Sequence, residues 1–203
     1  MIIPEVQTSK KKIKISEIIF NPEFYARFEP NQRLISDYEE NAEEILNSDN
    51  HIQLSENYIL IDGYHRWKAL ERVYGKEQEI TVLIHHTENT DYLLLKSYAG
   101  NTKHGLRNKR DENKKNIRNL YVRGYTLEQI QQHLGLGKSL VFEATTEDRK
   151  KEKEERDKKI VDLYLKAENT YKSISEILNI DEATVIKIMK NSTSGKYTRK
   201  HCG

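Results

Sequence analysis

Residues 59–70 read ILIDGYHRWKAL. Three apolar residues run into Asp62-Gly63, and a run of helical period follows, so the stretch reads as strand, tight turn and helix start. Such a turn points backbone amides and the positive end of a helix at one place, where an anion can be held. His65 and Arg66 add side-chain donors. Gly63 permits close backbone approach or a positive φ. Strand–Gly–helix turns are common, so spacing alone leaves an ordinary surface turn as the alternative. Trp67 and Leu70, three apart on the helix, read as core rather than as a stacking platform, with Tyr74 on the same face and Gly75 ending the helix.

Upstream, residues 10–20 (KKKIKISEIIF) read as a short strand with a turn at Asn21-Pro22, and residues 23–35 read as irregular. Ser36 and Glu39 have capping-box spacing and open a helix through about Leu46. Its run of Glu39, Glu40, Glu43 and Glu44 reads as a solvated face. His51–Leu54 and Tyr58–Ile61 read as two strands. Ile80–Ile84 is a buried strand, and Tyr92–Ala99 starts another helix. His85 and His86 alternate across a strand end, so they cannot share a metal. The first 100 residues form a small mixed α/β unit.

Everything from residue 109 onward reads as helix, and it contains a repeat. Ile130, Leu134, Leu136 and Val141 recur as Ile174, Leu178, Ile180 and Val185, each 44 residues on. Ile117, Leu120 and Tyr121 recur 43 residues on as Ile160, Leu163 and Tyr164. This is a duplicated three-helix unit. The spacing locks two short helices at a steep angle and leaves the outer face of the second free for a DNA major groove. Thr126 and Thr170 stand at the N-cap positions. Groove-facing candidates are Lys138, Ser139 and Phe142 in the first copy, and Glu182, Thr184, Lys187 and Lys190 in the second. The alternative is a plain helical bundle with the same apolar pattern. Asp181-Glu182 repels phosphate, which leaves dimerisation or partner contact as another role for the second copy.

Charge follows the same division. Residues 1–100 carry 11 basic and 17 acidic side chains, and residues 101–203 carry 23 and 15. Residues 101–125 hold eight basic and two acidic side chains. Arg107, Lys109, Arg110, Lys114, Lys115 and Arg118 are therefore candidate phosphate contacts, against the alternative of a solvated helix face. Residues 147–159 contain no apolar residue and read as a charged helical connector or a flexible linker. The tail from residue 192 reads as flexible and basic.

The whole chain has 203 residues, 36% hydrophobic and 33% charged, which suits several small cores better than one large one. No stretch approaches the roughly 18 apolar residues of a membrane span, and the start lacks the apolar core of a secretory signal. Cys202 is the only cysteine, which excludes a disulfide framework and a cysteine-based zinc site. The expected setting is cytoplasmic and nucleoid-associated, without a membrane partner.

The string IDGYHRWKAL at 61–70 resembles the glycine-arginine box of the ParB/sulfiredoxin-like fold. NPEFYAR at 21–27 resembles that family's first box, and AGNTKHGLRNKRDENKK at 99–115 resembles the box that ends the domain, often N-x-x-H-G-L in ParB-like regulators. The resemblance covers about residues 12–145. It implies an α+β N-terminal domain, a small sheet with helices, followed by all-α helix-turn-helix modules. The expected organisation is 1–100 for the α/β domain, 101–146 for the first helix-turn-helix, 147–158 for a connector, 159–191 for the second module and 192–203 for the tail. It also implies nucleotide phosphates on Asp62, Gly63, Tyr64, His65 and Arg66, with Arg27 and Asn101 matching the arginine and asparagine of the flanking boxes. His104, before Gly105, is either a further contact there or a helix C-cap.

Where the family often has a carboxylate before the asparagine to help hold magnesium, this chain has Gly100, a departure that disfavours metal-assisted hydrolysis. Tyr64 stands where sulfiredoxin has its reactive cysteine, so that chemistry is absent. Archaeal free-serine kinases share a similar D-G-x-H-R-W string, with Glu29 near, but one position off, the place of their catalytic glutamate. They lack the appended helical units. The resemblance implies a homodimeric, double-stranded-DNA-binding protein of DNA partition or transcriptional regulation. A nucleoside triphosphate of CTP or ATP type would gate it by altering how the helix after Asn101 packs. The rival reading is a nucleotide-dependent enzyme of the same fold: kinase, triphosphatase or nuclease. No metal ligands and no catalytic residue are assigned from the sequence.

Overall fold

The computed structural model describes residues 6–103, 108–165 and 169–193, without the side chains of 101–103 and 193. His104, Gly105, Arg107 and Cys202, and the tail from 194, lie outside the described residues, as does the side chain of Asn101. The chain divides into two compact units between Ala144 and Thr145.

The first unit opens with β1 (Thr8–Lys14), a 3₁₀ turn at Ile15–Glu17 and another at Pro22–Phe24. Then come α1 (Gln32–Glu40), α2 (Ala42–Asn47), β2 (Ile52–Ser55), β3 (Leu60–Asp62), α3 (Tyr64–Tyr74), β4 (Glu79–His85) and α4 (Thr90–Lys103). It closes with α5 (Arg110–Val122), α6 (Leu127–Leu134) and α7 (Lys138–Ala144). The second unit holds α8 (Thr146–Leu165), α9 (Tyr171–Leu178) and α10 (Glu182–Thr193).

The four strands form one sheet in the order β1-β4-β2-β3. β1 pairs antiparallel with β4 from Thr8↔His85 to Lys14↔Glu79, and β2 pairs parallel with β4 from Ile52↔Val82 to Ser55↔His85. β3 returns antiparallel on β2, with a register shift between Gln53 and Leu54. A parallel bridge from Ile19 to Ile59 covers the β3 side. β1 is the lysine-rich edge that discourages further strand pairing. Beneath the sheet, Ile13, Leu54, Val82 and Ile84 pack with Trp67 and Leu70 of α3. Trp67 is buried as expected, whereas Tyr74 is exposed at the end of the same helix.

A second core joins the sheet side to the helices. Phe24, Ile61, Leu94 and Tyr98 cluster with Ile117, Leu120, Ile130, Leu134 and Val141. Position 100 lies inside α4, and residues on both sides of it share this core. The second unit has its own core of Ile160, Ile174, Val185, Ile188 and Met189.

The helix expected from Ser36 begins earlier, at Gln32. Asn31 caps it, its Oδ1 accepting from Leu34 N at 3.1 Å, while its own N–H donates to His65 Nε2 at 3.0 Å. That second bond joins residues far apart in sequence, so no local pattern announces it. The helix also does not run unbroken to Leu46: Asn41, at φ −111° and ψ 24°, separates α1 from α2. Tyr58 belongs to the turn rather than to a strand, with φ +59°. Within 23–35, expected to be irregular, lie the end of a 3₁₀ turn and the start of α1. The charged run 147–159 is helical, within α8.

Candidate anion-binding cavity and its helical neighbour

β3 and α3 meet at Gly63, which has φ +100° and ψ 22°. A Cβ there would lie 3.1 Å from Arg66 Nη2, 3.1 Å from Ile52 Cγ1 and 3.3 Å from Ile52 Cα. Backbone conformation and lack of space both demand glycine. Trp67 N–H donates to Gly63 O at 2.8 Å as the first helical bond, and no side chain caps the helix. The N–H groups of Tyr64, His65 and Arg66 therefore occupy the electropositive, unsatisfied start of an 11-residue helix.

This turn opens on a cavity of about 460 Å³. Asp62, Gly63, Tyr64, His65 and Arg66 all line it, and so does Arg27, from 36 residues upstream of Gly63. Five of these come from one local turn; Arg27 is brought in by the segment 20–28, which also supplies Phe20, Phe24 and Tyr25. Gly100, before Asn101, faces Asp62: a Cβ at 100 would stand 3.7 Å from the Asp62 Cγ and Oδ1.

The side chains are not equivalent. Arg66, 8% exposed, donates to Asp62 Oδ2 at 3.3 Å and to the Asn50 carbonyl, so it braces the turn from within. His65 accepts from Asn31 N, which places its proton on Nδ1. Burial, with the Arg27 charge adding to it, pushes the His65 imidazole down to about 4, so it is neutral at physiological pH. Burial pushes the Tyr25 hydroxyl up. The cavity thus carries two guanidiniums and a helix start against the Asp62 carboxylate, a balance that favours an anion.

Segment 25–28 is tied from behind by α5. Glu112, 4% exposed, accepts Phe28 N–H at 3.2 Å and Lys109 N–H at 2.6 Å. Asn116, 1% exposed, donates from Nδ2 to Ala26 O at 3.0 Å. Lys115 donates to Tyr25 O at 3.4 Å and lies over the Phe28 ring. These bonds bracket Arg27 on both sides.

No family model and no curated protein matches the sequence. Solved structures do match. The C2221 form of a pNOB8-like ParB N-domain superposes with a TM-score of 0.50 at 17% identity, over 64% of this chain and 51% of that one. A second pNOB8-like ParB N-domain structure gives a TM-score of 0.50 at 14% identity, over 71% and 66%. The chain has a ParB-like fold. It spans about half the length of the first of these structures and 66% of the second. The C-terminally truncated chromosome-partitioning protein ParB from Caulobacter crescentus, complexed to the centromeric parS site, matches at a TM-score of 0.46 and 17% identity, over 90% and 92%.

In this ParB-like chain the residues singled out for DNA fall in several places. Lys109, Arg110 and Arg118 are exposed on and before α5. Arg110 and Lys114 both reach Glu143 of α7, Lys114 at 2.8 Å. Lys115 turns inward to segment 25–28, because Tyr25 O and the Phe28 ring hold it there. Lys138 and Ser139 are exposed at the start of α7, and Lys187 and Lys190 are exposed on α10 of the second unit. Glu112, Asn116 and Glu143 escaped the sequence reading. Glu112 and Asn116 are four apart on a polar helix, and only their burial separates them from solvated neighbours.

The two helical units repeat closely. α6 is capped by Thr126 with Gln129, and α9 by Thr170 with Ser173. Gly135 and its counterpart Asn179 are both left-handed, at φ +64° and +51°. Ile130 and Val141 are buried in one unit, Ile174 and Val185 in the other.

Proposed function

We propose that this chain is a double-stranded-DNA-binding protein of partition or regulatory type. Its ParB-like domain holds a nucleoside triphosphate, of CTP or ATP type, with phosphates at the start of α3, and occupancy of that site gates DNA binding. Helices α6 and α7 serve as a helix-turn-helix, with α7 as the reading helix and exposed Lys109, Arg110 and Arg118 as phosphate contacts. The protein acts as a homodimer, as two-fold DNA sites favour, at the nucleoid.

The observation that carries this reading is the bracketing of Arg27. The residue before it, Ala26, is bonded by Asn116 and the residue after it, Phe28, by Glu112, both of the basic helix α5, while its side chain lines the cavity. A ligand that pulls on Arg27 favours one placement of segment 25–28, and hence one placement of α5. The caps at Thr126 and Thr170 and the matched left-handed turns support the helix-turn-helix reading.

Calorimetric titration of CTP, ATP and GTP into the full chain, and into Arg27→Gln, tests the nucleotide site. The expected result is saturable heat with at least one nucleotide, weakened tenfold or more in the variant at unchanged melting temperature. Absence of heat with all three would leave the domain a nucleotide-free scaffold. Phosphate release or transfer in the absence of DNA would favour an enzyme instead.

A further inference from the structure

The outer face of α7 presents Lys138, Ser139, Phe142 and Glu143, all exposed, while Val141 and Ala144 are buried on the inner face. Three of the four outer side chains are polar, and Glu143 is engaged by Arg110 and Lys114 of α5. Phe142 is a phenyl group 51% exposed, one helical turn in from Lys138. Gly135 and Gly137, before α7, have nothing within 4 Å of where a Cβ would stand. Gly137 O accepts from Leu140 and Val141 at 3.1 and 3.3 Å, so the glycine turn is the N-terminal end of the helix itself.

An exposed phenylalanine on an ordinary surface needs no explanation. Here it sits on the face that the proposed helix-turn-helix arrangement offers to a major groove. A phenyl ring neither donates nor accepts a hydrogen bond, so it reads none of the polar pattern along the groove floor. The apolar group that a base pair presents there is the 5-methyl of thymine. We propose that Phe142 is a specificity-determining residue that packs on a thymine 5-methyl. The binding site therefore contains one position where thymine is preferred, and 5-methylcytosine partly replaces it. The inference rests on the DNA-binding reading above and adds what one side chain of that surface recognises. In the second unit the matching position is Ile186, behind Glu182 in place of Lys138, so the repeat does not carry the same face.

The test uses the full chain and duplexes that it selects from a randomised pool. Each thymine of the recovered site is replaced in turn by deoxyuridine, which removes one methyl group. At one position the replacement should weaken binding about fourfold, the worth of a buried methyl-sized group. At that position Phe142→Ala should bind thymine and uracil equally, and Phe142→Leu should keep a preference for thymine, both at the wild-type melting temperature. A flat uracil scan with wild type, or a scan that Phe142→Ala leaves unchanged, overturns the assignment of Phe142 while DNA binding stands. A pool from which no sequence is recovered overturns sequence-selective DNA reading itself, and this inference with it.

Discussion

At Gly63 two independent constraints coincide: a left-handed backbone and the crowding of Arg66 and Ile52 around the missing Cβ. Gly63→Ala should therefore cost about 1–2 kcal/mol for the backbone alone, with more for the contacts. The melting temperature should fall by about 2–4 °C for each kcal/mol. His65 gives a pH signature. The unfolded imidazole takes up a proton near 6.5, whereas the folded one resists until about 4, because it is buried beside Arg27. Its contribution to stability is therefore complete above about pH 7 and is lost progressively as pH falls from 6.5 toward 4. His51, His85 and His133 are shifted in the same direction by burial, so the wild type alone cannot report on His65. Urea midpoints at pH 7.5 and pH 5 should differ less in His65→Gln than in wild type. Equal differences would show that His65 protonates without penalty in the fold.

Among the elements, α5 does two things at once. Its inner face ties down segment 25–28, and Arg110 and Lys114 lean on Glu143 of α7. Asn116→Ala removes the partner of a buried carbonyl and should cost about 1–3 kcal/mol. It should also weaken nucleotide binding, although Asn116 does not line the cavity. Unchanged nucleotide affinity would disconnect α5 from the site. Glu143→Gln releases one cationic pair and should steepen the salt dependence of DNA binding, by a slope of about one per cation that then reaches a phosphate. A slope identical to wild type would show that Arg110 and Lys114 stay away from DNA.

These elements also show what a sequence can reveal. The α3 turn and its helix limits were legible because they are written in neighbouring residues, Asp62-Gly63 and Gly75, and the repeat because one apolar spacing recurs 44 residues on, in the pairs Ile130/Ile174 and Val141/Val185. Five cavity residues share one turn, and the matching box identified Arg27. The start of α1 was not legible, because Asn31 is fixed by His65 across the fold. Nor was the inward turn of Lys115, whose partners are ninety residues away in Tyr25 and nearby Phe28.

For the molecule as a whole, the second unit's having a core of its own implies that the two units respond separately to core damage. Ile130 and Ile174 are both fully buried twins of the repeat, one in each unit. Truncation of either to alanine should cost about 2–5 kcal/mol in its own unit. Amide exchange should quicken within 110–144 for Ile130→Ala and within 160–189 for Ile174→Ala. Loss of protection in both units from either change would mean that they fold as one cooperative body.

Under the proposed function, the α3 cavity and the helical face of one ParB-like chain are energetically coupled. The affinity of the full chain for its selected duplex, measured with and without saturating CTP or ATP, tests this most directly. A coupling of ordinary size changes the Kd at least about fivefold with one of them, and Asn116→Ala should shrink that ratio. Superimposable DNA-binding curves with either nucleotide, at concentrations where calorimetry shows the cavity filled, would contradict it.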